Sequence, residues 1–328
     1  MTVLVTTFLL SALLCGGYLR LARVRRFLDT PNERSSHSHP TPHGGGTAVL
    51  LAFIAGLLLA AQCYNSWDES FVVLAVAALL LMIVGVIDDL RGLSVQVRMA
   101  LYSLVCLWVA DTLLQSIFVD SGASRAVLGL LVALVMLWSL NLYNFMDGID
   151  GIAALQTVLA SCFGAWLSLK SGPSDNYAML CLLLAAAHAG FLIWNCPPAR
   201  LFMGDAGSVP TGFLLAAIAL LGAVQGYLNP LCWAILLAVF ITDATWTLVW
   251  RLSTGQAFMQ PHRLHAYQRL SRYWDSHLSV DMLLLSINVM WLFPLAWAVQ
   301  AWPSYNVIFV ILAYFPLLCG MAKIGRLA

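Results

Sequence analysis

Apolar residues fill this chain in blocks about as long as a bilayer is thick, rather than alternating with polar ones. A helix that crosses the hydrocarbon layer needs about 20 mostly apolar residues. Eleven stretches qualify: 2–19, 47–64, 70–87, 99–119, 126–143, 152–169, 177–195, 209–226, 231–250, 280–300 and 304–322. The pattern predicts an all-α, polytopic integral membrane protein with about 11 transmembrane helices, forming one transmembrane domain over 1–328.

Composition sharpens this picture. Of 328 residues, 61% are hydrophobic and 9% charged, against roughly 25% charged in soluble domains. The net charge of +1 leaves no broad basic face for a nucleic acid. The eight cysteines show no CxxC pair, so they are expected to pack as small apolar side chains rather than form a disulfide or zinc scaffold. In the first block the positive residues Arg20, Arg23, Arg25 and Arg26 follow the apolar run. That order predicts a retained helix with its N-terminus outside, not a cleaved signal. Eleven crossings from outside put the odd-to-even loops and the C-terminus in the cytoplasm. Those segments hold fourteen Lys and Arg residues, including Arg34, Arg91, Arg98, Arg200, Arg251 and Arg326, while Arg125 and Lys170 alone fall outside. The positive-inside rule supports this orientation.

The polar motifs share one side under that parity, in cytoplasmic loops at about 20–46, 88–98, 144–151, 196–208 and 251–279. They read "DTPNERSSHSHPTPHGGG" (29–46), "GVIDDLRGLS" (85–94), "NLYNFMDGIDG" (141–151), "PPARLFMGDAGS" (197–208) and "PHRLHAYQRL" (261–270). Asn141, Asn144, Asp147 and Asp150 are spaced by three, which on a helix steps back by about 60° each time and predicts a slanting polar stripe. Asp88 and Asp89 close an apolar block, where negative charge opposes the helix dipole. Being sequence neighbours, they point about 100° apart, so one can act while the other orients it. Asp205 sits between glycines at the start of the next apolar block, where anions are favoured. Five acids on one face repel unless a cation joins them, and oxygen ligands suit Mg²⁺ or Mn²⁺. The last loop supplies the opposite sign through His262, Arg263, His265 and Arg269, and Arg grips phosphate in a fork. Acids with a metal facing bases form a layout for moving phosphate.

"DDLRGLS", "NLYNFMDGIDGIA", "LFMGDAGS" and the His/Arg loop, in this order on an eleven-helix frame, resemble the polyprenyl-phosphate N-acetylhexosamine-1-phosphate transferases (glycosyltransferase family 4 type). The resemblance runs from about residue 29 to 270. It implies transfer of N-acetylhexosamine 1-phosphate from a UDP-sugar to undecaprenyl phosphate, with release of UMP and use of Mg²⁺, at the cytoplasmic face of the bacterial inner membrane. Asp205 matches a metal ligand, with Asn144 as the second. Asp88 and Asp89 match the acidic pair, Asp88 serving as base or orienter of the lipid phosphate. Asn141, Asp147 and Asp150 match residues near the nucleotide, and Phe202 an aromatic that stacks on uracil. Arg263, with His262 and His265, matches the loop that contacts the donor's diphosphate and sugar. Many relatives carry an HxHH-type loop, whereas this chain reads His262-Arg263-Leu264-His265-Ala266-Tyr267-Gln268. That variant resembles the subgroup that initiates O-antigen or related polysaccharides more than the muramyl-pentapeptide branch. His43 stands where an Arg is common.

The expected partners are a UDP-N-acetylhexosamine donor, the prenyl phosphate and the bilayer; a homodimer is left open. A prenyl phosphate oxygen approaching a diphosphate sets one anion against another, and a direct single-step transfer is the expected route. The rival class is a transporter or lipid flippase, in which Asp111, His188, Asp243 and Asp281 would form a polar relay through the membrane.

Overall fold

A computed structural model describes residues 1–25, 27–29, 40–64, 68–115, 117, 122–256 and 262–325. Eight long helices come first: α1 (Thr2–Arg25), α2 (Gly46–Tyr64), α3 (Glu69–Arg91), α4 (Val95–Leu114), α5 (Gly122–Met146), α6 (Ile152–Ser171), α7 (Asp175–Asn195) and α8 (Asp205–Val224). Local chemistry sets several of their ends. Asp68 accepts from Ser70 N at 2.8 Å to start α3, and Ser94 accepts from Val97 N to start α4. Each such cap satisfies a backbone donor left open at a helix start. A two-residue antiparallel ribbon, β1 (Leu28–Asp29) with β2 (Thr41–Pro42), pins the first loop. Arg26, Arg34, Arg326 and residues 30–39 of the first motif lie outside the described residues.

The apolar block at 231–250 does not form one straight span. It divides into α9 (Pro230–Leu236) and α10 (Ala238–Ser253), bent by 72°. Neither Pro nor Gly stands at the break. Instead Gln156 of α6 donates to the Leu236 carbonyl at 2.8 Å, which satisfies a backbone group the bend takes out of the helix ladder. Gln156 is held in turn by Asn288, whose amide donates to it at 3.0 Å. Asn288 opens a π turn between α12 (His277–Ile287) and α13 (Phe293–Ala301), so the bend and the π turn are linked through one side chain of α6. A short helix, α11 (Ala266–Trp274), precedes α12, and α14 (Asn306–Ile324) closes the described chain. Among the described residues, ten helices can cross a membrane by length and composition, or eleven with the bent pair counted as one span. The all-α polytopic architecture therefore stands. All eight cysteines are free thiols.

Helix α8 is the axis: 72% of its apolar stretch is buried, against 11% for α14 at the rim. Helices α2 and α3 approach it closely through glycine. A Cβ on Gly46 would lie 2.1 Å from the Gly207 Cα, and one on Gly85 2.6 Å from the Ala206 Cα. No side chain fits at either contact. The first turn of α8 is thus fixed against the start of α2 and the end of α3, which gathers their polar motifs at one end of the bundle.

Candidate active site

The core of this site is the start of α8. Gly204, at φ +72°, precedes the helix and supplies no side-chain cap. The missing acceptor comes from another helix: Asp89 takes Asp205 N at 3.2 Å and Ala206 N at 3.3 Å. A carboxylate that ends α3 unfavourably is well placed against the positive end of α8. Asp88 turns elsewhere. It accepts from Leu93 N at 2.6 Å and forms a close ion pair with Arg98, one turn into α4. Arg98 also reaches Asp205 at 3.3 Å, so one guanidinium bridges two of the acids.

Asp205 accepts from the Asn144 amide at 2.7 Å, and the same nitrogen donates to Ser208 Oγ at 2.9 Å. The Asn144 side-chain oxygen, Oδ1, carries no hydrogen bond among the described residues. The expected four-residue stripe is only half helical. Helix α5 ends at Met146, so Asn141 and Asn144 are helical while Asp147 and Asp150 lie in the following loop. In that loop a Cβ on Gly148 would lie 2.1 Å from the Tyr267 hydroxyl, and Gly151, which leads into α6, stands at φ +82°, where residues with a Cβ are strained. Asn141 donates to the Leu137 carbonyl of its own helix at 2.7 Å and does not join the acids. Asp147 carries no side-chain hydrogen bond among the described residues. Burial, then the nearby charges of Asp205, Asp89 and Asp150, push its carboxyl well above the usual carboxylate range. Asp150 serves the neighbouring loop, accepting from Ala199 N at 2.9 Å and lying 3.3 Å from His277 Nδ1. Asn195 fastens the same loops, accepting from Gly151 N and donating to the Leu201 carbonyl. Phe202 is half-buried, and its backbone pairs with Pro42 and Gly45 of the first loop.

The basic loop is bound to this shelf through Tyr267, which donates to the Phe145 carbonyl at 2.9 Å. His265 is buried, with Nδ1 3.2 Å from Asp243 of α10. His262 packs on it, ring centroids 4.9 Å apart. Burial and the adjacent His265 and Arg251 push His262 down to about 4, so it is neutral near pH 7. Arg263 lines a cleft of about 500 Å³ with Asp150, Arg272 and His277. Burial and the nearby Arg263 and Arg269 lower the Arg272 pKa. On the other side of α11, an apolar cavity of about 450 Å³ between α10, α12 and α14 reaches Asp243 and Tyr267.

Four helix ends and two loops thus converge: Asp88, Asp89, Asn144, Asp147 and Asp205 with Arg98 at the centre, and His262, Arg263 and His265 opposite. Among the described residues no three His, Cys, Asp or Glu side chains form a preformed metal cage. Mg²⁺ does not require one, since it is commonly held by one or two carboxylates plus substrate phosphate and water. The Asp147 carboxylate beside Asp205, without a side-chain hydrogen bond among the described residues, and the open Asn144 Oδ1 fit that kind of site. The four residues of the rival relay do not contact one another. Asp111 pairs with Arg125 at 2.6 Å, His188 bonds to the Leu184 carbonyl and Thr211, Asp243 holds His265, and Asp281 sits one helical turn beyond His277.

A family profile described as glycosyl transferase family 4 matches residues 71–223. The chain is 28% identical over 307 residues to a probable undecaprenyl-phosphate N-acetylglucosaminyl 1-phosphate transferase of Bacillus subtilis, covering 89% of this chain and 83% of the relative. It is 31% identical over 293 residues to the decaprenyl-phosphate N-acetylglucosaminephosphotransferase of Mycobacterium tuberculosis, covering 77% and 71%. It is 30% identical over 286 residues to the undecaprenyl-phosphate alpha-N-acetylglucosaminyl 1-phosphate transferase of Yersinia pestis, covering 83% and 76%.

Proposed function

The chain belongs to glycosyl transferase family 4, with the polyprenyl-phosphate N-acetylhexosamine-1-phosphate transferases, and on that premise we propose that its donor is a UDP-N-acetylhexosamine and its acceptor undecaprenyl phosphate. A phosphate oxygen of the lipid attacks the β-phosphorus of the donor. The bond from that phosphorus to the bridging oxygen breaks, UMP leaves, and the lipid-diphosphate sugar remains. The site faces the cytoplasm of the bacterial inner membrane, and the product begins O-antigen or a related envelope glycan; the HRLHAYQ variant of the basic loop supports this branch.

One observation carries the reading. Acids from the end of α3, the start of α8 and the loop after α5 meet at one end of a membrane bundle, and the neighbouring loops line a cleft with two arginines and an apolar cavity. The two substrates have those two characters. The donor's sugar phosphate suits the cleft of Arg263, Arg272, Asp150 and His277. The first prenyl units suit the apolar cavity, lined by Met146, Leu270, Leu284, Trp291 and Leu317. Asp205 and Asn144 would hold Mg²⁺ or Mn²⁺, with Asp147 as the open carboxylate beside them, and the bound cation would neutralise the diphosphate and the departing UMP. Asp88 has both oxygens engaged by Leu93 N and Arg98, so it orients rather than accepts a proton. A prenyl phosphate, already ionised near neutral pH, needs no strong base.

The test is purified protein with undecaprenyl phosphate and a panel of labelled UDP-sugars. Label is expected in lipid with equimolar UMP, lost with a chelator and restored by Mg²⁺. No UMP from any donor would defeat the proposal. Arg263→Ala is expected to raise the donor KM about tenfold, the scale of one charge-assisted hydrogen bond, with the lipid KM nearly unchanged. Equal shifts in both would remove Arg263 from the donor side.

A further inference from the structure

We propose that Asp243 is the positioning residue of His265, and that the His265 atom turned to the substrates is Nε2. This rests on the transferase reading of the site. Asp243 lies in α10, beyond the 72° bend, and is 3% exposed. One carboxylate collects four donors. Oδ1 faces His265 Nδ1 at 3.2 Å, Ala266 N at 2.9 Å and Thr247 Oγ1 at 3.2 Å, while Oδ2 takes Tyr267 N at 3.0 Å. The two backbone donors open α11, whose preceding residue, His265, supplies no side-chain cap. Capping alone would be met by a neutral Ser, Thr or Asn. A buried carboxylate goes further, because it accepts from the imidazole as well and so fixes a tautomer.

With a carboxylate against Nδ1, that nitrogen carries a proton, which leaves Nε2 as the ring nitrogen turned away from Asp243. Nε2 has no hydrogen bond among the described residues. The ring plane is set by its neighbours: His262 at 4.9 Å, Tyr267 at 5.7 Å and Phe145 at 6.4 Å between centroids. Tyr267, whose backbone Asp243 also holds, reaches the Phe145 carbonyl just before the Asp147 loop. Asp243 therefore sets the imidazole's tautomer and its placement against the acid shelf together.

The experiment has two readouts. ¹⁵N-histidine NMR of the unsubstituted protein, with the His265 signal assigned by its loss in His265→Gln, is expected to show the Nδ1–H ring; an Nε2–H ring would overturn the inference without any change at Asp243. Kinetically, Asp243→Asn is expected to lower kcat about 10–100-fold, the usual scale for a partner that orients a working histidine, with the donor KM within about threefold. Asp243→Glu, which keeps the charge, should recover most of the loss. In a His265→Gln background, Asp243→Asn should cost nothing more, because the two act as one unit. An equal further loss there would make Asp243 a helix cap only. Full activity of His265→Gln would also sink the inference while leaving the transferase reading intact. Absence of transfer by the unsubstituted protein would defeat that reading, yet the NMR result would still decide the tautomer.

Discussion

Asp205→Asn is expected to cut sugar-phosphate transfer about 10³-fold, some 4 kcal/mol of transition-state stabilisation, in a protein that still folds. The side chain keeps its size, and an amide oxygen can still accept from Asn144, as Oδ1 does at 2.7 Å. The cap of α8 is untouched, because Asp89 holds backbone nitrogens rather than this carboxylate. Arg98 loses one partner at 3.3 Å but retains its closer pair with Asp88. One negative charge disappears from a group of like charges, so repulsion falls. What goes is the charge that would balance a cation on the donor's diphosphate, where two anions must come together. Thermal melting in chelator should therefore be no lower than in the unsubstituted protein, while kcat/KM collapses at saturating Mg²⁺. Near-normal turnover would take Asp205 out of the reacting site, and a large drop in melting temperature would reduce it to a structural residue.

The residues that bear charge were legible in the sequence because their chemical type stands out against apolar blocks. Asp88, Asp89, Asn144, Asp147 and Asp205 do meet at one end of the bundle. Their partners were not legible. Arg98 counted only toward loop charge, and becomes part of the site once α3 and α4 fold back on each other across Gly92–Ser94, bringing it to a residue ten positions earlier. Asp243 read as a polar residue within a span, since its meaning depends on a loop 22 positions on. His277 lay beyond the last motif, and its role follows from Asp150 on a distant loop. The break after Leu236 carried no local mark at all. Its carbonyl is satisfied by Gln156, 80 positions away, and periodicity read in a short window is blind to such a partner. The polar stripe failed for a nearer reason: its spacing of three fits a helix, but α5 ends at Met146, ahead of Asp147 and Asp150, in a loop that holds Gly148 and Gly151.

Asp147→Asn should produce an unusual pair of effects: higher stability without metal at neutral pH, and transfer lowered about 10²-fold through weaker charge stabilisation of the diphosphate. Its carboxyl is pushed up in the folded protein, first by burial and then by Asp205, Asp89 and Asp150. In the unfolded chain it ionises near the ordinary value of about 4. Between that pH and the raised folded value, the folded state binds more protons than the unfolded state. Stability is then greatest in acid and declines as pH rises through this window. Asn cannot ionise, so the variant escapes the decline. The two proteins should melt alike near pH 4 and separate as pH increases, the variant higher, when both are held in chelator. Added Mg²⁺ should reverse the order, because a cation bound to the folded state stabilises it by mass action and the variant offers that cation one carboxylate fewer. Melting curves from pH 4 to 8, with chelator and with Mg²⁺, measure both halves. If the variant is the less stable protein at pH 7.5 in chelator, Asp147 is not a strained acid waiting for a counter-charge, and the cation belongs with a different set of side chains.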